Sequence, residues 1–168
     1  MSRVWVYSDG SITGNGKPGS IGGWGAVLLW EYAPGHYYVR EIGGAAFETT
    51  NNRMEMLAPI QALRCVKKPV PITVVSDSQY VVNGASQWMV RWVKSGAIRK
   101  MLNGDLWMDI QELKAEHDIT WQWVRGHIGD LWNERVDEIA GTMVKRAKVE
   151  GESVTHEARY RRAWTPPG

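Results

Sequence analysis

The chain has 168 residues, 43% of them hydrophobic and 23% charged, with a formal net charge of +2. This suits one domain with its own core and excludes two large domains or a strongly basic chain. No apolar run reaches the ~18 residues a membrane span needs, the N-terminus carries no signal-peptide core, and the single cysteine, Cys65, excludes an internal disulfide, so a soluble cytoplasmic protein is expected.

In chain order, Arg3–Ser8 reads as a strand of β-branched and aromatic residues. A glycine-rich stretch over 10–25 follows, with Gly10, Gly14, Gly16, Gly19, Gly22, Gly23 and Gly25, and is expected to be a loop. Residues 24–32 and 37–47 read as a hairpin turned at Pro34-Gly35. From Asn52 to about Lys67 the apolar spacing becomes helical, and Pro71–Ser76 is a short apolar strand. Two short helices over 78–85 and 87–93, an exposed basic connection over 94–104 and an amphipathic helix over 105–117 come next. The segment 84–104 holds Arg91, Lys94, Arg99 and Lys100 and no acid, which suits a phosphate backbone or a solvated helix face. Ile119–Arg125 is a fifth strand and 131–148 the last helix. The order implies an α/β fold: a mixed five-stranded sheet, three strands antiparallel and two parallel, with helices on both faces. We read 1–148 as the catalytic domain and 149–168 as a basic, flexible tail.

Four acids stand in distinctive settings: Asp9 in Tyr7-Ser8-Asp9-Gly10-Ser11, Glu55 after Asn51-Asn52-Arg53-Met54, Asp77 before Ser78-Gln79-Tyr80, and Asp137 in Asn133-Glu134-Arg135-Val136-Asp137-Glu138. Asp9 and Asp77 fall at strand ends, where open α/β sheets form their ligand crevice. Glu55 could instead complete a capping box with Asn52, and Asp77 could cap the next helix. Asp137 has Ala140 and Gly141 on its own face, which implies a half-buried acid. Four acids brought together cannot all stay ionised without a cation, so convergence would mean a site for a hard divalent metal.

These motifs together resemble the type 1 ribonuclease H family. The likeness covers roughly residues 3–147 and adds Thr50-Asn51-Asn52-Arg53-Met54-Glu55, Trp123-Val124-Arg125-Gly126-His127 and Asp77-Ser78-Gln79-Tyr80-Val81. It implies the ribonuclease H-like fold and hydrolysis of the RNA strand of RNA–DNA hybrids, leaving 5′-phosphate and 3′-hydroxyl ends. It implies that Asp9, Glu55, Asp77 and Asp137 bind two Mg²⁺ ions, with Mn²⁺ able to substitute, and that His127 assists proton movement or product release. Hard cations need only oxygen ligands, so carboxylates and substrate phosphate suffice.

Hybrid recognition must come from the 2′-hydroxyl, which short amides can read because they donate and accept at once. The resemblance points to Asn15, Asn51, Asn52 and Gln79, with the backbone of Gly10, Ser11 and Ile12, for this contact. It points to Thr50, Arg53 and Asn103 for a DNA phosphate, and to Trp88, Trp92, Lys94, Arg99 and Lys100 for a basic handle along the hybrid. Ala97 stands where well-known bacterial members carry a third handle Trp. The RNA–DNA hybrid is the expected partner, with the protein a monomer, no protein partner inferable and no membrane contact. A DNA-acting nuclease of the same fold would not be expected to carry the Asn-Asn-Arg-Met-Glu motif. A non-catalytic hybrid-binding module would lack at least one of the four acids.

Overall fold

The computed structural model describes residues 3–126 and 130–167. Its centre is β1 (Val4–Thr13), which pairs antiparallel with β2 (Ile21–Ala33) and parallel with β4 (Ile72–Ser76). β3 (His36–Phe47) extends the sheet beyond β2, and β5 (Ile119–Trp123) extends it in parallel beyond β4. The expected antiparallel trio and parallel pair are therefore present.

The sheet has six strands, not five. β6 (Thr155–Ala163) pairs antiparallel with β3 from His36↔Ala163 to Gly44↔Thr155, giving the order β5-β4-β1-β2-β3-β6. The segment read as a flexible tail is thus an edge strand. Its polar residues find partners on β3, where Arg40 and Glu157 form a two-pronged ion pair at 2.9 and 3.1 Å.

Alternation along β1 sorts the core into two layers. Val4 and Val6 pack beneath α1 (Asn51–Arg64) and α4 (Gly104–Glu116), with Met56, Ile60, Trp107 and Ile110. Trp5 and Tyr7 face α5 (Leu131–Glu150), with Trp132, Val136, Ile139 and Met143. Thr50 caps α1 by accepting from the Arg53 amide, and Asp130 caps α5 by accepting from the amides of Trp132 and Asn133. Gly151, at φ 70°, ends α5 and turns the chain toward β6.

The two short helices expected over 78–93 run into one another. α2 (Gln79–Asn83) passes through a π-helical turn at Gly84–Trp88 into α3 (Met89–Ser95). A Cβ on Gly84 would lie 2.1 Å from the Trp107 ring, so glycine lets the widened turn press on the core. The strands also reach further into the glycine-rich stretch than expected. Gly10–Thr13 and Ile21–Gly25 pair as part of β1 and β2, and the loop shrinks to 14–20.

Candidate active site

The last parallel pair between β1 and β4 is Ser8↔Ser76. Asp9 and Asp77 each follow that pair, so they emerge side by side at the carboxyl end of the parallel strands. β1 does not end at Asp9, as the spacing suggests, but continues to Thr13 against β2 alone. Trp123 on β5 fixes the other strand end by donating its indole N–H to the Asp77 carbonyl at 3.0 Å.

Glu55 reaches the same point from the first turns of α1. Gly10 permits it, because a Cβ there would lie 2.7 Å from the Glu55 amide nitrogen. Oxygens of Asp9, Glu55 and Asp77 lie within 4.8 Å of one another. Neither capping alternative holds. Thr50 and Ser78 are the N-caps of α1 and α2, leaving Glu55 and Asp77 outside the caps.

Asp9 and Glu55 are buried. Burial raises both carboxyls, strongly for Glu55, and the charges of the neighbouring acids push the same way, while the hydrogen bond the two share raises Glu55 and lowers Asp9. Glu55 Oε2 is buried and has no hydrogen-bond partner among the described residues. Such an oxygen is costly unless something satisfies it, and a hard cation between the three carboxylates would do so. Among the described residues the donor set is all oxygen, which fits Mg²⁺ or Mn²⁺ better than a metal that prefers sulfur or imidazole ligands.

Asp137 is exposed, where a half-buried acid was expected. The buried stripe of α5 runs through Trp132, Val136, Ile139, Ala140 and Met143, and Asp137 lies to one side of it. Gly141 on its own face has open space around it. The helix still brings Asp137 near the other acids. Asp9 pairs with Gly25, and a Cβ on Gly25 would lie 2.9 Å from the Val136 carbonyl. The charge of Asp137 contributes to the raised carboxyl of Asp9, after burial and Asp77. Asp137 thus stands at the rim of the cluster. His127 lies outside the described residues.

Sequence reasoning missed Gly126 as part of this site. A Cβ there would lie 2.6 Å from Asp77 Oδ2, so the glycine leaves the space in which that carboxylate sits. Its place beside His127 was legible, but its contact with Asp77 was not.

The hybrid-reading candidates surround the acids. The Asn51 amide donates to Asn15 Oδ1 at 3.0 Å, tying the glycine loop to the start of α1 beside Thr50 and the exposed Asn52. Gln79 is exposed at the start of α2, two residues after Asp77. Ser11 and Ile12 are half-buried on β1 beyond Asp9. Arg53 forms a two-pronged pair with Asp105 at 2.7 and 3.0 Å and donates to Asn103 Oδ1 at 3.3 Å. Asn103 is buried at φ 61° and donates to the Tyr80 hydroxyl.

In the handle, Trp88 is 43% exposed and packs at 6.1 Å against Trp92, which leans on buried Trp107. Lys94, Arg99 and Lys100 are exposed. A 3₁₀ turn at Ala97–Arg99 anchors the connection through buried Ile98.

The chain is similar to known proteins in sequence and fold. The model of the RNase H family matches residues 1–145. Ribonuclease H of Pseudomonas paraeruginosa is 46% identical over 142 residues, spanning 82% of this chain and 90% of that protein. Ribonuclease HI of Pseudomonas aeruginosa is 45% identical over 142 residues, with the same 82% and 90% coverage. Among solved structures, LC9-RNase H1, a type 1 RNase H with the type 2 active-site motif, superposes with a TM-score of 0.77 at 31% identity, over 86% of this chain and 72% of that one. The PFV RNase H domain gives 0.73 at 25% identity, over 87% of this chain and 96% of that one. With the acids, the strand ends and these likenesses in agreement, the chain belongs to the ribonuclease H family.

Proposed function

We propose that this chain carries out the ribonuclease H reaction, hydrolysis of the RNA strand of an RNA–DNA hybrid, with two Mg²⁺ ions held by Asp9, Glu55, Asp77 and Asp137. The observation that carries this reading is the convergence of three carboxylates, one of which, Glu55, has a buried oxygen with no hydrogen-bond partner among the described residues. When bound, the ions offset the carboxylate charge and supply Lewis-acid stabilisation to an in-line phosphoryl displacement, leaving 5′-phosphate and 3′-hydroxyl ends. Mn²⁺ can replace Mg²⁺ because both accept carboxylate oxygen.

The chain's own part is placement. Buried Asp9 and Glu55 are fixed from opposite sides by β1 and α1, and exposed Asp137 completes the set from the rim. His127 takes and returns protons or eases product release. Asn15, Asn51, Asn52 and Gln79, with the backbone of Gly10, Ser11 and Ile12, read 2′-hydroxyls of the RNA strand. Thr50, Arg53 and Asn103 hold a DNA phosphate, with Arg53 exchanging its exposed Asp105 partner for it. Trp88, Trp92, Lys94, Arg99 and Lys100 extend the contact along the backbone. The protein acts as a monomer in the cytoplasm. No helix among the described residues is long and apolar enough to cross a membrane.

The test is a gel assay on labelled RNA–DNA hybrid, duplex DNA, duplex RNA and single-stranded RNA, with Mg²⁺ or EDTA. Cleavage of the RNA in hybrids alone, lost in EDTA, is the expected result. Equal cleavage of duplex DNA would remove the substrate reading.

A further inference from the structure

We propose that the C-terminal strand β6 is a clamp that positions the Asp137 turn of α5, and that Glu41 is the positioning residue through which it acts. The proposal rests on the reading of Asp137 as a metal ligand.

Glu41 lies on β3, on the sheet face that α5 covers, and its side chain is only 2% exposed. Both carboxylate oxygens are fully used. Arg135 of α5 donates to them through Nε at 2.8 Å and Nη2 at 2.7 Å. From β6, the Tyr160 hydroxyl donates at 2.6 Å and His156 Nε2 lies 2.9 Å away. Arg135 also pairs with Glu138. One buried acid therefore joins three elements at a residue two positions before Asp137, and the ion pair continues to the residue just after it.

A second contact acts at the first turn of α5. Trp164, just past β6, packs edge-on against Trp132 with ring centroids 6.3 Å apart, and against Trp5, Tyr7 and Tyr37 at 5.8, 6.1 and 5.1 Å. Arg162 lies over the Trp132 ring at 5.9 Å.

Beneath the helix the sheet offers glycine. Cβ atoms on Gly23 and Gly25 would lie 2.2 and 2.9 Å from the carbonyls of Ala140 and Val136. Close approach is thereby allowed, but no side chain at those two positions interlocks with the helix. The lateral placement of the turn then falls to the directional bonds of Glu41 and the wedge of Trp164. Because Asp137 is exposed, the backbone beneath it does the most to set where its carboxylate stands. The residues of β6 lie beyond 145, where the family match ends, while Glu41 and Arg135 lie within it.

The test uses the full chain. Tyr160→Phe removes one hydrogen bond to Glu41 and keeps the ring and the strand pairing. Glu41→Gln removes the charge. Each is compared with wild type and with Asp137→Ala by calorimetric Mn²⁺ titration and by the Mg²⁺ dependence of hybrid cleavage. Loss of a group that supports a metal ligand weakens metal binding by about 10- to 100-fold. Because Asp137 is one ligand among four, we expect about 3-fold weaker binding for Tyr160→Phe and about 10-fold for Glu41→Gln, with kcat at saturating Mg²⁺ within about 2-fold of wild type. If Asp137→Ala loses activity while both clamp variants stay folded and bind metal as tightly as wild type, β6 serves stability alone and the clamp is refuted. If Asp137→Ala binds metal and cleaves like wild type, the ligand reading fails first and takes the clamp with it.

Discussion

Glu41 makes an acid-sensitive lock whose size can be worked out. Burial alone would raise its carboxyl, but hydrogen bonds from Arg135, Tyr160 and His156 outweigh burial and hold it at about 2, against an ordinary value of 4.5. Its folded value is depressed, so the stabilisation is fully present above the unfolded value and is lost as pH falls from about 4.5 toward 2. The difference corresponds to about 3 kcal/mol in favour of the ionised folded state. Glu41→Gln should therefore cost about 3 kcal/mol at pH 7, which for a domain of this size lowers Tm by roughly 6 to 12 °C. Thermal unfolding followed by circular dichroism, in EDTA at pH 7, 4 and 2, measures the gap between variant and wild type. The gap should close as pH falls, because the wild-type carboxyl protonates and loses its charge. A gap that stays constant at every pH would mean that Glu41 contributes by shape, and the electrostatic reasoning would be refuted.

Two further variants test the site and the handle. Gly126→Ala places a methyl group 2.6 Å from Asp77 Oδ2 and must displace that carboxylate. Displacing a reacting group by ~1 Å can cost 10²-fold, so kcat on hybrids should fall by about 10- to 100-fold with little change in Tm, whereas an unchanged kcat would separate Gly126 from the site. Changing Arg99 and Lys100 together to Ala should raise KM and flatten the salt dependence of hybrid binding by roughly one to two counterions, while kcat holds. If the full salt slope survives, the handle is a solvated surface.

The convergence of Asp9, Glu55 and Asp77 was legible because each acid is set by local sequence. Asp9-Gly10 and Ser76-Asp77 each pair an acid with a strand end, and Asn52-Arg53-Met54-Glu55 sets an acid into a helix start; the parallel register of β1 and β4 then joins them. β6 was not legible. Its outward residues Glu157, Arg159 and Arg161 and its inward His156, Tyr160 and Arg162 are all polar or amphipathic, so no apolar alternation marks a strand. What holds it is Arg40 and Glu41 on β3, more than a hundred residues earlier, and such cross-strand charge pairing leaves no local trace. Asp137 was misread for a related reason. Ala140 is buried, but small residues on a helix face do not reveal how far the buried stripe extends, and Gly141 opens on solvent-side space. The π-helical turn also escaped, because Gly84 reads as a helix break until the Trp107 ring is seen against it.

Hybrid cleavage by Asp9→Asn, at the Mg²⁺ concentration that supports the wild type, bears most directly on the metal site. The substitution removes one of three crowded carboxyls, itself buried and raised by burial and by the charge of Asp77, so the apo protein should be as stable as wild type or more so. A folded Asp9→Asn protein that leaves the RNA strand uncut is the predicted result. The same protein cutting hybrids at the wild-type rate would contradict the assignment of these carboxylates to catalysis.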